Sequence, residues 1–175
     1  MFLDLNKIGL EGHAFDHVLE LPDLAGTAGE RISILKTRLT GEVGKGKSGF
    51  DFSAHLDTAV NVDCSRCLEP FTVPIARDFF LILVAERSDA EAATEYDEDE
   101  EASLFSCPDG QADLVQMVSE QIYLALPLKP ICREGCKGLC PACGANRNVA
   151  DCGCPSEAVG LRLAPLLQFK NRQEM

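Results

Sequence analysis

No stretch of this chain stays apolar for long. The longest run, Phe79 to Ala85, is far short of the roughly 18 residues that cross a bilayer, so no membrane span is expected. The opening residues, Met1-Phe2-Leu3-Asp4-Leu5-Asn6-Lys7, lack a basic stretch leading into an apolar one. A secretory leader is therefore not expected, and a cytoplasmic location is. Histidine is scarce: the chain has three, His13, His17 and His55, and none lies near its cysteine-rich end. That argues against a catalytic zinc with histidine ligands and an open water position. His13 and His17 are four apart and fit one helix face, but no acid or cysteine pattern joins them. Surface placement is expected for all three. No internal repeat is apparent.

Cysteine, by contrast, is plentiful. Six of the nine, Cys132, Cys136, Cys140, Cys143, Cys152 and Cys154, fall within 23 residues. Their centre, Cys140-Pro141-Ala142-Cys143-Gly144, is a turn that presents two thiolates to one ion, proline starting it and glycine letting an N–H approach sulfur. In a reducing cytoplasm such a density of thiols favours metal over disulfides, and an all-sulfur set favours zinc. The six are the candidate ligands, and spacing alone does not choose among them. Setting Cys107 aside, the other eight would make two four-thiolate sites; the simpler expectation is one site in the C-terminal module, with Cys64 and Cys67 a separate pair. The ion is read as structural and supplies on the order of 10 kcal/mol of apparent folding free energy to so small a module.

Two tempting formulas fail on context. Gly41-Glu42-Val43-Gly44-Lys45-Gly46-Lys47-Ser48 fits the phosphate-loop pattern, but a strand rather than a helix follows it, so a glycine-rich hairpin turn is predicted. Lys45 and Lys47 remain placed to touch phosphate there. Cys136-x-x-x-Cys140-x-x-Cys143 has the spacing of a radical-enzyme iron–sulfur site, yet only 32 residues follow Cys143, too few for the barrel such enzymes need. Cys64-x-x-Cys67 lies on a hairpin, not at a helix N-terminus, which disfavours a thioredoxin-like pair. A thiol or iron–sulfur redox enzyme is thus the weaker alternative.

The pattern of the rest predicts an α+β fold: a mainly antiparallel sheet or partial barrel, one principal helix and a small C-terminal zinc knuckle. From Phe50 to Cys64 apolar residues occupy the even positions almost without a break, which predicts a long half-buried strand. Phe71 to Val84 predicts its hairpin partner, and Ile32 to Val43 a further strand. Asp113 caps a helix whose stripe is Leu114, Met117, Val118, Gln121, Ile122 and Ala125, stopped by Pro127 and Pro130. The expected domains are a body over 1–130 with an acidic loop at 86–112, a metal module over 131–155 and a tail over 156–175.

Charge is uneven. The net is −12, yet residues 86–101 hold nine acids against one arginine, while 31–50 and 128–175 are locally basic. Tight, nonspecific nucleic-acid binding by the whole chain is therefore not expected, whereas local contact by a basic region is compatible with this balance.

Two fragments taken together resemble a known family. Cys64-Ser65-Arg66-Cys67-Leu68-Glu69-Pro70-Phe71 follows a β run. Leu126-Pro127-Leu128-Lys129-Pro130-Ile131-Cys132, then Cys136 to Asn146, then Cys152-x-Cys154, come later. Their order and spacing resemble the YceD-like family of bacterial and plastid proteins, described as large ribosomal RNA subunit accumulation proteins, over roughly residues 60–167. Gly160-Leu161 departs from the Asp-Pro pair common there. The resemblance implies a non-enzymatic ribosome-biogenesis factor, with large-subunit RNA or a ribosomal protein as partner and no small-molecule substrate. On that reading Arg66, Lys129, Arg133, Lys137, Arg147 and Arg162 are the candidate RNA- or partner-binding residues. A protein-only adaptor for basic ribosomal proteins is the other alternative.

Overall fold

The even-position alternation becomes one long strand, and the rest of the sheet is laid against it. The computed structural model describes residues 1–26, 31–85 and 103–154. They fall into two units: Met1–Asp63 with Pro70–Pro130, and Cys64–Glu69 with Ile131–Met175. The hairpin tip between the two longest strands thus belongs with the cysteine-rich segment and not with the body.

Among the described residues the first unit contains β1 (Phe2–Asp4), β2 (His13–Leu19), β3 (Leu24–Ala25), β4 (Arg31–Ile34), β5 (Thr37–Lys45), β6 (Phe50–Asp63), β7 (Pro70–Ala85), β8 (Leu104–Cys107), β9 (Gln111–Asp113) and the helix α1 (Leu114–Ala125). β6 pairs antiparallel with β7 along its whole length. Its other edge takes β5 over Phe50–Asp57 and β4 at Val60 and Asn61. β2 extends the sheet beyond β5, β3 beyond β4, and β8 runs parallel to the end of β7. This seven-stranded sheet is not closed into a barrel. β1 and β9 form a separate antiparallel pair that leads into α1.

The core follows the predicted face. Phe52, Ala54, Leu56, Thr58, Val60 and Val62 are all buried, and Phe52 stacks on Phe15 with ring centroids 5.0 Å apart. Gly41 makes room for that stack. A Cβ there would lie 2.1 Å from the Ser53 carbonyl oxygen and 3.0 Å from the Phe15 ring. The first glycine of the apparent phosphate loop therefore serves sheet packing, and the loop is a hairpin turn joining β5 to β6, as predicted. The one buried polar pair on the β6 face is satisfied internally: the Thr37 and Thr58 hydroxyls are 2.8 Å apart.

The Ile32–Val43 strand is in fact two, and pairing shows why. Ile34 faces Val60 while Arg38 faces Asp57, so three residues on one side span two on β6. One residue is extra, a β-bulge. It flips the inward parity from Ile32, which is even, to Thr37, Leu39 and Val43, which are odd and buried. Prolines inside β7 are tolerated for a related reason. The Leu35 N–H donates to the Ala59 carbonyl, so odd residues of β6 bond toward β4 and β5. Pro74 and Pro70 face Ala59 and Asp63, at positions where an N–H would point away from β6.

Two further expectations need correction. His13 and His17 lie on β2, not on a helix, because their segment pairs residue by residue with β5. Residues 103–112, expected within the acidic loop, instead supply β8 and part of β9; buried Phe105, Cys107 and Ala112 provide the apolar anchors. The strongly acidic stretch itself, 86–101, lies outside the described residues, as does the tail from 155. The helix forms where predicted: the Asp113 carboxylate accepts from the Val115 N–H at 2.9 Å, and Leu114, Met117, Val118, Gln121 and Ile122 are buried. Among the described residues no helix is long and apolar enough to cross a membrane.

Candidate metal centre

Local hydrogen bonding builds the same turn twice in the second unit. In the first copy the Leu68 N–H donates to the Cys64 carbonyl and the Cys64 N–H to the Glu69 carbonyl, both at 2.9 Å. In the second the Gly144 N–H donates to Cys140 and the Cys140 N–H to Ala145, both at 2.8 Å. The residue after each turn is left-handed, Leu68 at φ 60° and Gly144 at φ 75°. No repeat is visible in the sequence because the two turns share only their cysteines; the shared object is a backbone shape that points two sulfurs the same way.

Each turn is completed by a second pair of cysteines. Cys64, Cys67, Cys132 and Cys136 form one set and Cys140, Cys143, Cys152 and Cys154 the other, with the sulfurs of each set all within 4.8 Å of one another. Cys64 and Cys67 are thus not a pair apart from the C-terminal cysteines: the hairpin tip supplies half of the first set. Cys64 Sγ is 3.8 Å from Cys136 Sγ, and Cys67 Sγ is 3.9 Å from Cys132 Sγ. A tetrahedral zinc–thiolate centre with bonds of about 2.3 Å has sulfur–sulfur edges of about 3.8 Å, so the first set fits such an ion. Neither set includes a histidine or carboxylate. Four thiolates close a tetrahedron and leave no position for a reacting water, the arrangement of a structural site.

The sulfurs are unequally prepared. Burial pushes the Cys64 thiol up, but N–H groups of Cys132, Arg66 and Cys67 aimed at it prevail and lower it to about 6. The Cys132 N–H lies 3.4 Å from that sulfur. Cys132 itself is pushed up to about 12, by burial and then by the neighbouring sulfurs. The second set repeats the contrast: N–H groups of Cys143 and Ala142 lower Cys140 to about 6, while the sulfurs of Cys143, Cys152 and Cys140 push Cys154 up to about 12. Four thiols this close cannot all ionise unaided, and a divalent cation removes the conflict while displacing the remaining protons. Cys107 joins neither set; it is fully buried in the body.

Comparison with known proteins now bears on the same segments. The family model described as "Large ribosomal RNA subunit accumulation protein YceD" matches residues 52–170, more than half of the chain and all eight cysteines of the two sets. The chain belongs to the YceD family. A chloroplastic YceD homologue 1 from Zea mays, named as a large ribosomal RNA subunit accumulation protein, is 29% identical over 128 residues, 59% of this chain and 44% of the relative. The Arabidopsis thaliana protein of the same name is 23% identical over 138 residues, 67% of this chain and 43% of the relative. An uncharacterised protein of Mycobacterium bovis is 33% identical over 82 residues, 47% and 37%. The chain spans less than half the length of these curated relatives. No solved structure gives a significant match.

Within this YceD chain the predicted cations are sorted by the fold. The Arg66 guanidinium donates to the Cys136 carbonyl at 3.0 Å, and its own carbonyl accepts from the Leu139 N–H at 2.9 Å. The Arg133 carbonyl accepts from the Cys136 N–H, and the Arg147 N–H donates to the Gly138 carbonyl. Arg66, Arg133, Lys137 and Arg147 therefore surround one short segment, Cys136-Lys137-Gly138. All four are exposed, and none forms an ion pair with a carboxylate among the described residues. Lys129 is exposed in the first unit, and Arg162 lies outside the described residues.

Sequence reasoning missed three supporting residues. The Asn148 amide donates to Cys136 Sγ at 3.4 Å and to Asn146 Oδ1 at 2.9 Å, and Asn148 Oδ1 accepts the Lys137 N–H at 2.8 Å. Asn146 in turn donates to Glu69 at 3.2 Å. Two asparagines near a turn carry no signal by themselves. Gly138 is the third. It sits at φ 69°, and a Cβ there would lie 2.9 Å from the Arg66 carbonyl oxygen.

Proposed function

We propose that this protein is a ribosome-biogenesis factor that supports accumulation or processing of large-subunit, 23S-type ribosomal RNA. It does so by binding, not by catalysis, in the cytoplasm, with zinc as a structural ion in its cysteine sets. The family supports the RNA class of the process, and the closed four-sulfur sets support a scaffolding rather than a reacting metal. Of the two partners considered, ribosomal RNA or a ribosomal protein, RNA is favoured. The observation that carries this choice is the group of four exposed cations around Gly138, none of which forms an ion pair with a carboxylate among the described residues. Exposed guanidinium and ammonium groups suit phosphate oxygens, and the net charge of −12 disfavours nucleic-acid contact by the chain as a whole. Contact is then centred on this patch.

The test is replacement of Arg133, Lys137 and Arg147 together by glutamate in cells that depend on the protein. Large-subunit RNA is expected to fall relative to small-subunit RNA, and crosslinking of the unaltered protein to assembling subunits is expected to map to RNA through this segment. Unchanged RNA levels overturn the reading. Crosslinks confined to a ribosomal protein transfer it to the other partner class.

A further inference from the structure

The four cations do not come from one stretch of chain. Arg66 lies on the turn between β6 and β7, whereas Arg133, Lys137 and Arg147 lie at least 67 residues later. What brings the two stretches together is the first cysteine set, to which the turn contributes Cys64 and Cys67 and the later stretch Cys132 and Cys136. The second set involves only residues 140–154 and spans no such gap. The other links between the stretches are few: the Arg66–Cys136 and Leu139–Arg66 hydrogen bonds, the Cys132 N–H to Cys64 sulfur, and Asn146 to Glu69. Such bonds contribute about 1 kcal/mol each and do not by themselves hold the two stretches together against the repulsion of ionised sulfurs that all lie within 4.8 Å of one another.

Resting on the reading above, we propose that the RNA-phosphate surface of this protein is composite and gated by metal: it exists only while an ion occupies Cys64, Cys67, Cys132 and Cys136, whereas the ion at Cys140, Cys143, Cys152 and Cys154 bears on Arg147 alone. Two physical effects act in the same direction. The ion fixes Arg66 beside Lys137 and Arg147, and it halves the negative charge of four thiolates carried by the same two stretches as the cations.

The test uses the full chain, purified large-subunit ribosomal RNA as probe, and binding measured across a range of salt. Four phosphate contacts predict a slope of log affinity against log salt of about −3. The Cys64→Ser/Cys67→Ser variant is expected to lose one zinc, bind at least tenfold more weakly and show a shallower slope. The Cys152→Ser/Cys154→Ser variant is expected to lose one zinc and, since Arg147 alone of the four cations lies between Cys143 and Cys152, to bind only about threefold more weakly than the parent. Equal losses in both variants, or none in either, overturn the gating. Thermal unfolding of the body in each variant shows whether a loss is confined to the module; collapse of the body in the first variant alone assigns Cys64 and Cys67 to overall folding and also overturns it. The Arg133→Glu/Lys137→Glu/Arg147→Glu variant separates the two claims: if it binds RNA normally the proposed function fails, whereas if it fails to bind while the first cysteine variant binds, only the gating fails.

Discussion

At the scale of single residues, nine cysteines fall into three environments, and their chemistry follows their surroundings rather than their number. Eight sit with three sulfur neighbours each. Cys107 sits in the body with 0% exposure, and burial pushes its thiol from 9.0 up to about 11. The folded state therefore favours the protonated form. Its contribution to stability is complete below about pH 9 and is lost as pH rises from there through about 11. Mass spectrometry after alkylation at pH 8 of metal-stripped protein is expected to find eight cysteines modified and Cys107 untouched. Modification of Cys107 at the same rate as the others would show that its cover is not as tight as drawn. Leu68 is the other residue with a decisive local setting. It adopts the conformation that Gly144 takes in the twin turn, and it is 63% exposed, so its side chain contributes little packing in return.

At the scale of elements, α1 illustrates a feature whose every part is local. Its cap, its apolar stripe and its stopping proline are consecutive in sequence, and each does in the fold what its chemistry predicts. Asp113 also closes β9, so the cap fixes the point where strand turns to helix. Asp113→Ala is expected to cost about 1 kcal/mol, read as a lower urea midpoint at unchanged slope. A cost near zero would mean that packing of Leu114 and Met117 alone sets the helix start. The β4–β5 bulge illustrates the opposite case. Ile32, Ile34, Leu39 and Val43 are all apolar, and only the pairing with β6 shows that the inward positions change parity between Ile34 and Thr37. The same limit hid β8, a four-residue parallel partner defined by its neighbour β7 and not by its own alternation.

At the scale of the whole molecule, the two units rest on different physics. The first buries an apolar core that includes Phe52, Leu56, Val60, Leu83, Leu114 and Ile122. The second has few buried apolar side chains among its described residues beyond its cysteines, so on the proposed reading its order is expected to depend on metal. Native mass spectrometry is expected to find two zinc ions per chain. On strong chelation, hydrogen exchange should rise across 64–69 and 131–154 while β5, β6 and β7 stay protected. One ion per chain would return the chain to the single-site expectation, and loss of protection throughout would mean that the body, too, needs the metal.

The amino-acid order alone determined what is periodic or contiguous: the β6 face, the β6–β7 hairpin, the capped helix, the family and the identity of the six clustered thiols. Those features depend on interactions between residues a few positions apart or on an unbroken pattern. Only the tertiary structure decided which four sulfurs lie close enough to share an ion and which cations gather around one segment. Cys64 and Cys132 are separated by 68 positions, and spacing carries no information about which distant pair a folded sheet returns to the same place. The decisive quantity was a distance across space, and the chain encodes that only through the whole of its packing.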